Sequence, residues 1–368
     1  MAYDGIVTKQ VVCELKKVLI GGKINKVFEP NKNEIILGIY SGGKNYALNI
    51  SISSNNYRMH LTTNSKPNPL NAPNFCMLLR KHLIGSRVTD IYSNSLERIV
   101  YINLEGFNEL NDRVCKKLII ELMGKHSNII LLNERNIIID SMRHLDSTSN
   151  SCRDILPARE YINPPSDKTD LCTTSYNDFF NIIKNSTNKI SNILPDTYSG
   201  ISKAFVLNAI CELNISDDSY SDNDIKNIYN YINKIVNNLG SNLVKVTKLK
   251  QDYILHLETN NENLQANFFL DDFYKQKEDN EIIVNYRNNL SKLVLSALKK
   301  VTKKVNNINS KLKECDNMDI YRMYGELITA NLYRINNDIN VNSIELENYY
   351  DNNNIISIPL DSTISPRP

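Results

Sequence analysis

The chain has 368 residues, with 43 Lys+Arg against 41 Asp+Glu and 41% hydrophobic residues. That apolar fraction excludes a wholly disordered chain, and the length exceeds what one core supports, so two or three domains are expected. No apolar stretch approaches the roughly 18–20 residues that span a bilayer, and Met1-Ala2-Tyr3-Asp4-Gly5 lacks the basic and apolar regions of a secretory signal.

The seven cysteines are scattered without a C-x-x-C pair, which reads as reduced cytoplasmic thiols and argues against a structural zinc site. The near-neutral total conceals a strong local pattern. Residues 1–150 carry an excess of about six positive charges and residues 151–283 an excess of about six negative ones. Residues 284–314 then carry about seven net positives, and the remainder is acidic by about five. Two basic surfaces suited to polyanions, or two ordinary solvated faces, fit this pattern equally well.

Val7, Val11, Leu15, Val18 and Leu19 recur at helical spacing, and Gly21-Gly22 supplies the stop. Strand-like runs follow at 24–29, 34–40, 44–50 and 57–62, separated by Asn-Lys-Asn, Ser-Gly-Gly and Ser-Ser-Asn-Asn turns, as in a meander. A helix is expected at 73–84, then strands at 87–92, 99–104, 114–122, 128–133 and 137–143. Residues 1–170 therefore read as an α+β domain with a largely antiparallel sheet. After Asn163-Pro164-Pro165 the texture turns helical, with helices expected at 176–185, 202–213 and 222–238 in a domain spanning 171–240. The turn Tyr198-Ser199-Gly200-Ile201-Ser202 makes a helical hairpin that either offers its amides to a phosphate or only packs.

Residues 241–283 read as a connecting segment, and a long helix is expected from about 284. Val294, Leu298, Val301, Val305, Ile308 and Leu312 form a heptad seam, clothed by Lys292, Lys299, Lys300, Lys303, Lys304, Lys311 and Lys313. The seam needs a partner helix. With a coiled-coil arm at 284–335 and the start of a return segment at 336–368, closing on Ser365-Pro366-Arg367-Pro368, either a second chain completes the coil or the chain is a piece of a longer polypeptide, the reading favoured here.

Several stretches together resemble one family. They are Asp4-Gly5-Ile6-Val7-Thr8 with Gly22-Lys23-Ile24-Asn25-Lys26-Val27, Tyr57-Arg58-Met59-His60-Leu61-Thr62, and Pro73-Asn74-Phe75-Cys76-Met77-Leu78-Leu79-Arg80-Lys81-His82-Leu83. Glu121-Leu122-Met123-Gly124-Lys125-His126-Ser127-Asn128-Ile129-Ile130-Leu131, Ser199-Gly200-Ile201-Ser202 and Tyr324-Gly325-Glu326-Leu327-Ile328-Thr329-Ala330-Asn331-Leu332 complete the set. In this order they resemble the NFACT family, to which bacterial RqcH and FbpA and eukaryotic NEMF belong. The resemblance implies an N-terminal domain similar to the formamidopyrimidine DNA glycosylases, then a helix-hairpin-helix domain, then a coiled coil.

Glycosylase chemistry is not expected. Those enzymes use an N-terminal proline nucleophile and a zinc finger, whereas position 2 is Ala2 and zinc-ligand spacing is lacking. Gly21-Gly22-Lys23 likewise lacks the glycine spacing and the Ser/Thr of a phosphate loop. The chain is therefore expected to bind rather than catalyse, without a cofactor or metal.

The family pattern places an acidic residue and an arginine side by side on the sheet, here Glu97-Arg98, and a further acidic residue at Asp4. Arg98 would stack on a base or fork onto phosphate, with Glu97 orienting it. Asp4 reads equally well as a helix N-cap, and Glu97-Arg98 as an exposed ion pair at a strand edge. Arg80, Lys81 and His82 on one helix, and Lys125, His126, Ser127 and Asn128 at a turn, would line a tRNA backbone. Ser127 and Asn128 are also ordinary turn formers, and His82 fits a buried histidine. Lys299, Lys300, Lys303 and Lys304 would meet ribosomal RNA.

The resemblance implies a cytoplasmic factor of ribosome quality control that binds obstructed large ribosomal subunits carrying a peptidyl-tRNA-linked nascent chain. It would recruit alanyl-tRNA for untemplated C-terminal alanine tailing. A fibronectin-binding surface adhesin is the second reading, from the naming of bacterial members; no membrane partner is implied.

Overall fold

The computed structural model describes residues 3–108, 110–146, 153–186, 188–249, 252–258, 264–335 and 342–361. The chain divides into two compact units, Met1–Asp279 and Asn280–Pro368, each described by itself.

In the first unit the helical spacing read from the sequence becomes α1 (Gly5–Leu19), which buries Ile6, Val7, Val11, Leu15 and Leu19 along one stripe. Nine strands follow: β1 (Lys23–Asn31), β2 (Glu34–Ser41), β3 (Lys44–Ser51), β4 (Arg58–Thr62), β5 (Arg87–Ser93), β6 (Ile99–Phe107), β7 (Arg113–Glu121), β8 (Asn128–Leu132) and β9 (Ile138–Ser141). They form one antiparallel sheet in the order β4-β3-β2-β1-β5-β6-β7-β8-β9. It is two meanders meeting at β1 and β5, where Lys23 opposes Arg87. The helix α2 (Asn74–Leu83) connects them and buries Phe75, Cys76, Leu79 and Leu83. Mixed helix and antiparallel sheet is the α+β class that the sequence reading expected.

The second meander is covered on both faces. Ile99, Tyr101, Ile119, Ile130, Leu132 and Ile138 form a separate core with Ile155, against which Tyr161 packs. Strand β8 is therefore buried along its whole length, which is why Asn128-Ile129-Ile130-Leu131-Leu132 shows a continuous apolar run instead of alternation. Arg153 closes this side with a two-pronged bond to the fully buried Glu121, at 2.8 and 2.6 Å.

Four helices follow: α3 (Tyr176–Lys184), α4 (Ile190–Thr197), α5 (Lys203–Glu212) and α6 (Asp222–Asn237). Ser175, Ser202 and Ser221 cap α3, α5 and α6 through their hydroxyls. The sequence reading paired α5 with residues 176–185; the helix that precedes the Tyr198–Ser202 turn is α4, hidden by Pro195 in its last turn.

The segment read as a connector holds a hairpin, β10 (Val244–Leu249) with β11 (Asp252–Leu257), and the start of α7 (Gln265–Asp316). That helix begins at Gln265, not near 284, because its first turns are stabilised by distant groups. Glu14 accepts the amides of Ala266 and Asn267, both at 3.1 Å, and the Asn267 side-chain amide at 2.8 Å. Edge strand β4 is covered by the same turns: Leu61 donates its amide to Asn267, and Thr62 and Thr63 donate to Asp271.

Arg58 is the largest side chain in this socket and bonds Glu278, while Lys66 bridges Glu278 and Glu34. His60 is stacked on Tyr274 with centroids 6.2 Å apart, and burial, then Arg58, hold its imidazole down to about 4. It is thus neutral near pH 7 and free to accept Arg58 Nε on Nε2 at 3.2 Å. The Arg58-x-His60 stretch that carries part of the family resemblance serves to seat α7.

In the second unit, α7 continues through the lysine-rich stretch, with Val294, Leu298, Val301, Val305, Ile308 and Leu312 all exposed. After α8 (Met318–Ala330), where a return arm was expected, residues 343–359 form a hairpin, β12 (Ser343–Asn348) with β13 (Asn354–Pro359). Leu327, Leu346 and Ile358 pack it onto α8, which an isolated pair of strands needs for stability. Ala2 and the closing Ser365-Pro366-Arg367-Pro368 lie outside the described residues. Among the described residues, no helix is long and apolar enough to cross a membrane.

Candidate functional site

Three backbone segments distant in sequence meet at the start of α1. The amides of Gly5 and Ile6 both donate to the Gly200 carbonyl, at 2.9 and 3.3 Å. A Cβ on Gly5 would lie 1.7 Å from the Leu96 carbonyl oxygen and 2.6 Å from the Gly200 Cα. One on Gly200 (φ +77°) would lie 2.1 Å from that same oxygen. Only glycine permits this approach at either position. The helix-hairpin-helix turn therefore spends Gly200 on packing against α1 and the β5–β6 loop, the packing role that the sequence left open beside phosphate binding.

Asp4 is the polar centre of the junction and is 6% exposed. Its Oδ1 accepts the Val7 amide at 3.0 Å, and its Oδ2 accepts the Ser202 hydroxyl at 2.6 Å. Burial pushes its carboxyl up to about 6, against the opposing pull of the Ser202 and Val7 hydrogen bonds and of Arg98. The N-cap that the sequence offered is formed, and it reaches a second helix besides.

Glu97 and Arg98 follow Leu96 in the loop between β5 and β6, half-buried rather than on an exposed strand edge. Arg98 turns to Tyr57, donating to its hydroxyl at 3.0 Å with the guanidinium carbon 5.8 Å from the ring centroid. Among the described residues no side chain donates to the Glu97 carboxylate; burial, then the negative charge of Asp170, raises its pKa. The two residues thus do not neutralise each other, and each keeps hydrogen-bonding capacity toward a ligand. Tyr57, part of the family motif but outside the expected site residues, is the platform under Arg98.

The other expected residues separate into surface and support. Arg80 donates Nε to the Val27 carbonyl at 2.9 Å and ties α2 to β1, with Lys81 exposed and His82 half-buried beside it. Lys125 and His126 are exposed. Ser127 and Asn128 are buried: the Ser127 hydroxyl accepts the Met123 amide, and Asn128 exchanges two bonds with the Arg143 backbone. Those side chains build the turn, so the exposed part of this cluster narrows to Lys125 and His126. Lys299, Lys300, Lys303 and Lys304 are exposed on α7 in the second unit. Among the described residues no group of three or more His, Cys, Asp or Glu side chains is placed to hold a metal ion.

Comparison with known proteins agrees with this architecture. The chain is 30% identical over 373 residues to "Rqc2 homolog RqcH" of Bacillus subtilis, covering all of this chain and 65% of that protein. It is 29% identical to the protein of the same name in Streptococcus suis, of which it covers 64%. The chain thus spans slightly under two thirds of the length of these relatives. Among solved structures, the N-terminal part of the fibronectin/fibrinogen-binding protein from Streptococcus suis matches with a TM-score of 0.61 and 28% identity, over 75% of this chain and all of that one. The family signature described as NFACT N-terminal and middle domains matches residues 4–368, and the chain belongs to the NFACT family.

Proposed function

We propose that this chain is the RNA-binding part of a cytoplasmic ribosome-quality-control factor. It binds large ribosomal subunits obstructed by peptidyl-tRNA and brings in alanyl-tRNA for untemplated alanine addition to the stalled nascent chain. The peptidyl-transferase centre makes the bonds, and this chain supplies positioning without a catalytic step of its own. The observation that carries the reading is similarity over the whole chain to proteins named Rqc2 homolog RqcH, in a fold whose unneutralised Glu97 and Arg98 stand beside the α1–hairpin junction. Arg98, with guanidinium hydrogens left over from Tyr57, suits a base edge or a phosphate. Exposed Lys81, Lys125 and His126 on the first unit suit an RNA backbone, and the four lysines of α7 suit ribosomal RNA.

The test is recovery from lysate with large subunits, together with sequencing of RNA crosslinked to the chain. Enrichment of tRNA-Ala over bulk tRNA supports the reading. Arg98→Ala should weaken tRNA binding by about 1–3 kcal/mol, roughly tenfold to more than a hundredfold. Replacing Lys299, Lys300, Lys303 and Lys304 together by Ala should leave tRNA binding intact and make the salt dependence of ribosomal RNA binding shallower by roughly three in slope. The name of the Streptococcus suis structural relative favours fibronectin binding as a second reading. Recovery with fibronectin and not with RNA would reverse the order.

A further inference from the structure

We infer that Asp4 is a positioning residue, not an RNA contact: its carboxylate couples the start of α1 to the start of α5, and the junction so formed fixes the loop that carries Glu97 and Arg98. Where it concerns tRNA, the inference rests on the function proposed above. Asp4 is buried and both its oxygens are already bonded, one to the Val7 amide and one to the Ser202 hydroxyl that caps α5. An RNA group would have to displace one of these bonds and open a buried site to reach it.

The route from Asp4 to Arg98 is short. The Asp4–Ser202 bond holds residues 199–202 against α1, and the Gly5 and Ile6 amides grip the Gly200 carbonyl from the same side. Gly200 and Gly5 then abut the Leu96 carbonyl, directly before Glu97 and Arg98. At its other end the loop is pinned by the Glu97 amide on the Asn94 carbonyl at 2.9 Å and by the Leu122 amide on the Arg98 carbonyl at 2.9 Å. Removing the Asp4 carboxylate takes away a support of the loop while leaving its own bonds and the Arg98 side chain in place. A group held this way loses binding through misplacement.

The test combines hydrogen exchange on the unliganded chain with tRNA binding by Asp4→Ala, Ser202→Ala and Arg98→Ala, singly and in pairs. Asp4→Ala should speed exchange of the Gly5, Ile6 and Glu97 amides at least tenfold, while amides of β2 and β3 remain as protected as before. It should weaken binding of bulk tRNA at least tenfold when Arg98 is present and less than twofold in the Arg98→Ala background. Ser202→Ala, which removes the Oδ2 partner together with the α5 cap on the Phe205 amide, should act in the same direction at Gly5, Ile6 and Glu97; it also serves if Asp4→Ala does not fold. An equal loss of affinity with and without Arg98 would make Asp4 a contact and overturn the inference. Unchanged exchange at Glu97 would overturn it as well. If the unaltered chain binds no tRNA, the functional reading falls, and the exchange measurement alone decides the role of Asp4.

Discussion

Replacing Glu14 by Ala should unseat the long helix. Glu14 is 4% exposed and receives the Ala266 and Asn267 backbone amides together with the Asn267 side-chain amide. The two backbone donors belong to the first turn of α7, where no intrahelical carbonyl is available. Gln10, which donates to Glu14 at 3.0 Å, cannot replace it with its amide nitrogen. The two backbone donors alone, left buried without partners, cost about 1–3 kcal/mol each, so Glu14→Ala should destabilise by at least about 2–6 kcal/mol. Glu14→Gln keeps one acceptor oxygen and should lose about half of that. Urea unfolding followed by far-UV circular dichroism measures the difference, with an expected midpoint shift of about 1–2 M for the Ala variant. Hydrogen exchange adds a local readout, since the Leu61 amide on Asn267 should lose protection while β6 and β7 keep theirs. A loss below about 1 kcal/mol with Leu61 still protected would refute the idea that a carboxylate from α1 seats this helix.

Further outcomes follow from individual sites. Gly5→Ala forces a Cβ into the Leu96 carbonyl and should cost about 3 kcal/mol or more, whereas Gly325→Ala, with open space around it in α8, should stabilise by about 0.5–1 kcal/mol; paired thermal melts compare them. Arg153→Met leaves the Glu121 carboxylate buried with, among the described residues, only Tyr161 as a side-chain donor and should cost about 3–5 kcal/mol by urea titration, so a neutral result would mean that the pair contributes nothing. Burial raises the Asp4 carboxyl from 3.8 to about 6, so its contribution is fully present below about pH 4 and is lost as pH rises through 6. The stability gap between the chain and Asp4→Asn should therefore shift against the chain by on the order of 3 kcal/mol between pH 4 and 7, and parallel pH profiles would contradict this.

Helix α1 and the nine strands were readable in the sequence because each is specified by its own spacing: apolar residues three and four apart, or short β-rich runs cut by Asn, Ser and Gly. The β10–β11 hairpin carried the same signal, with Val244 and Val246 alternating with Lys245 and Thr247, and was obscured by the polar residues that flank it. The start of α7 had no such signal. Gln265, Asn267 and Asp271 look solvent-facing in a sequence, yet they are buried because their partners, Val246, Glu14 and Thr62, arrive from three other elements. The family motifs likewise marked Asp4, Ser127 and Asn128 without saying which way they face. Local periodicity reports only which residues leave water; whether a polar side chain meets a ligand or completes a helix end depends on groups brought beside it by chain closure over as many as 253 positions. The tertiary structure alone made Asp4 a joint between two helices and turned Arg98 to Tyr57 and not to Glu97.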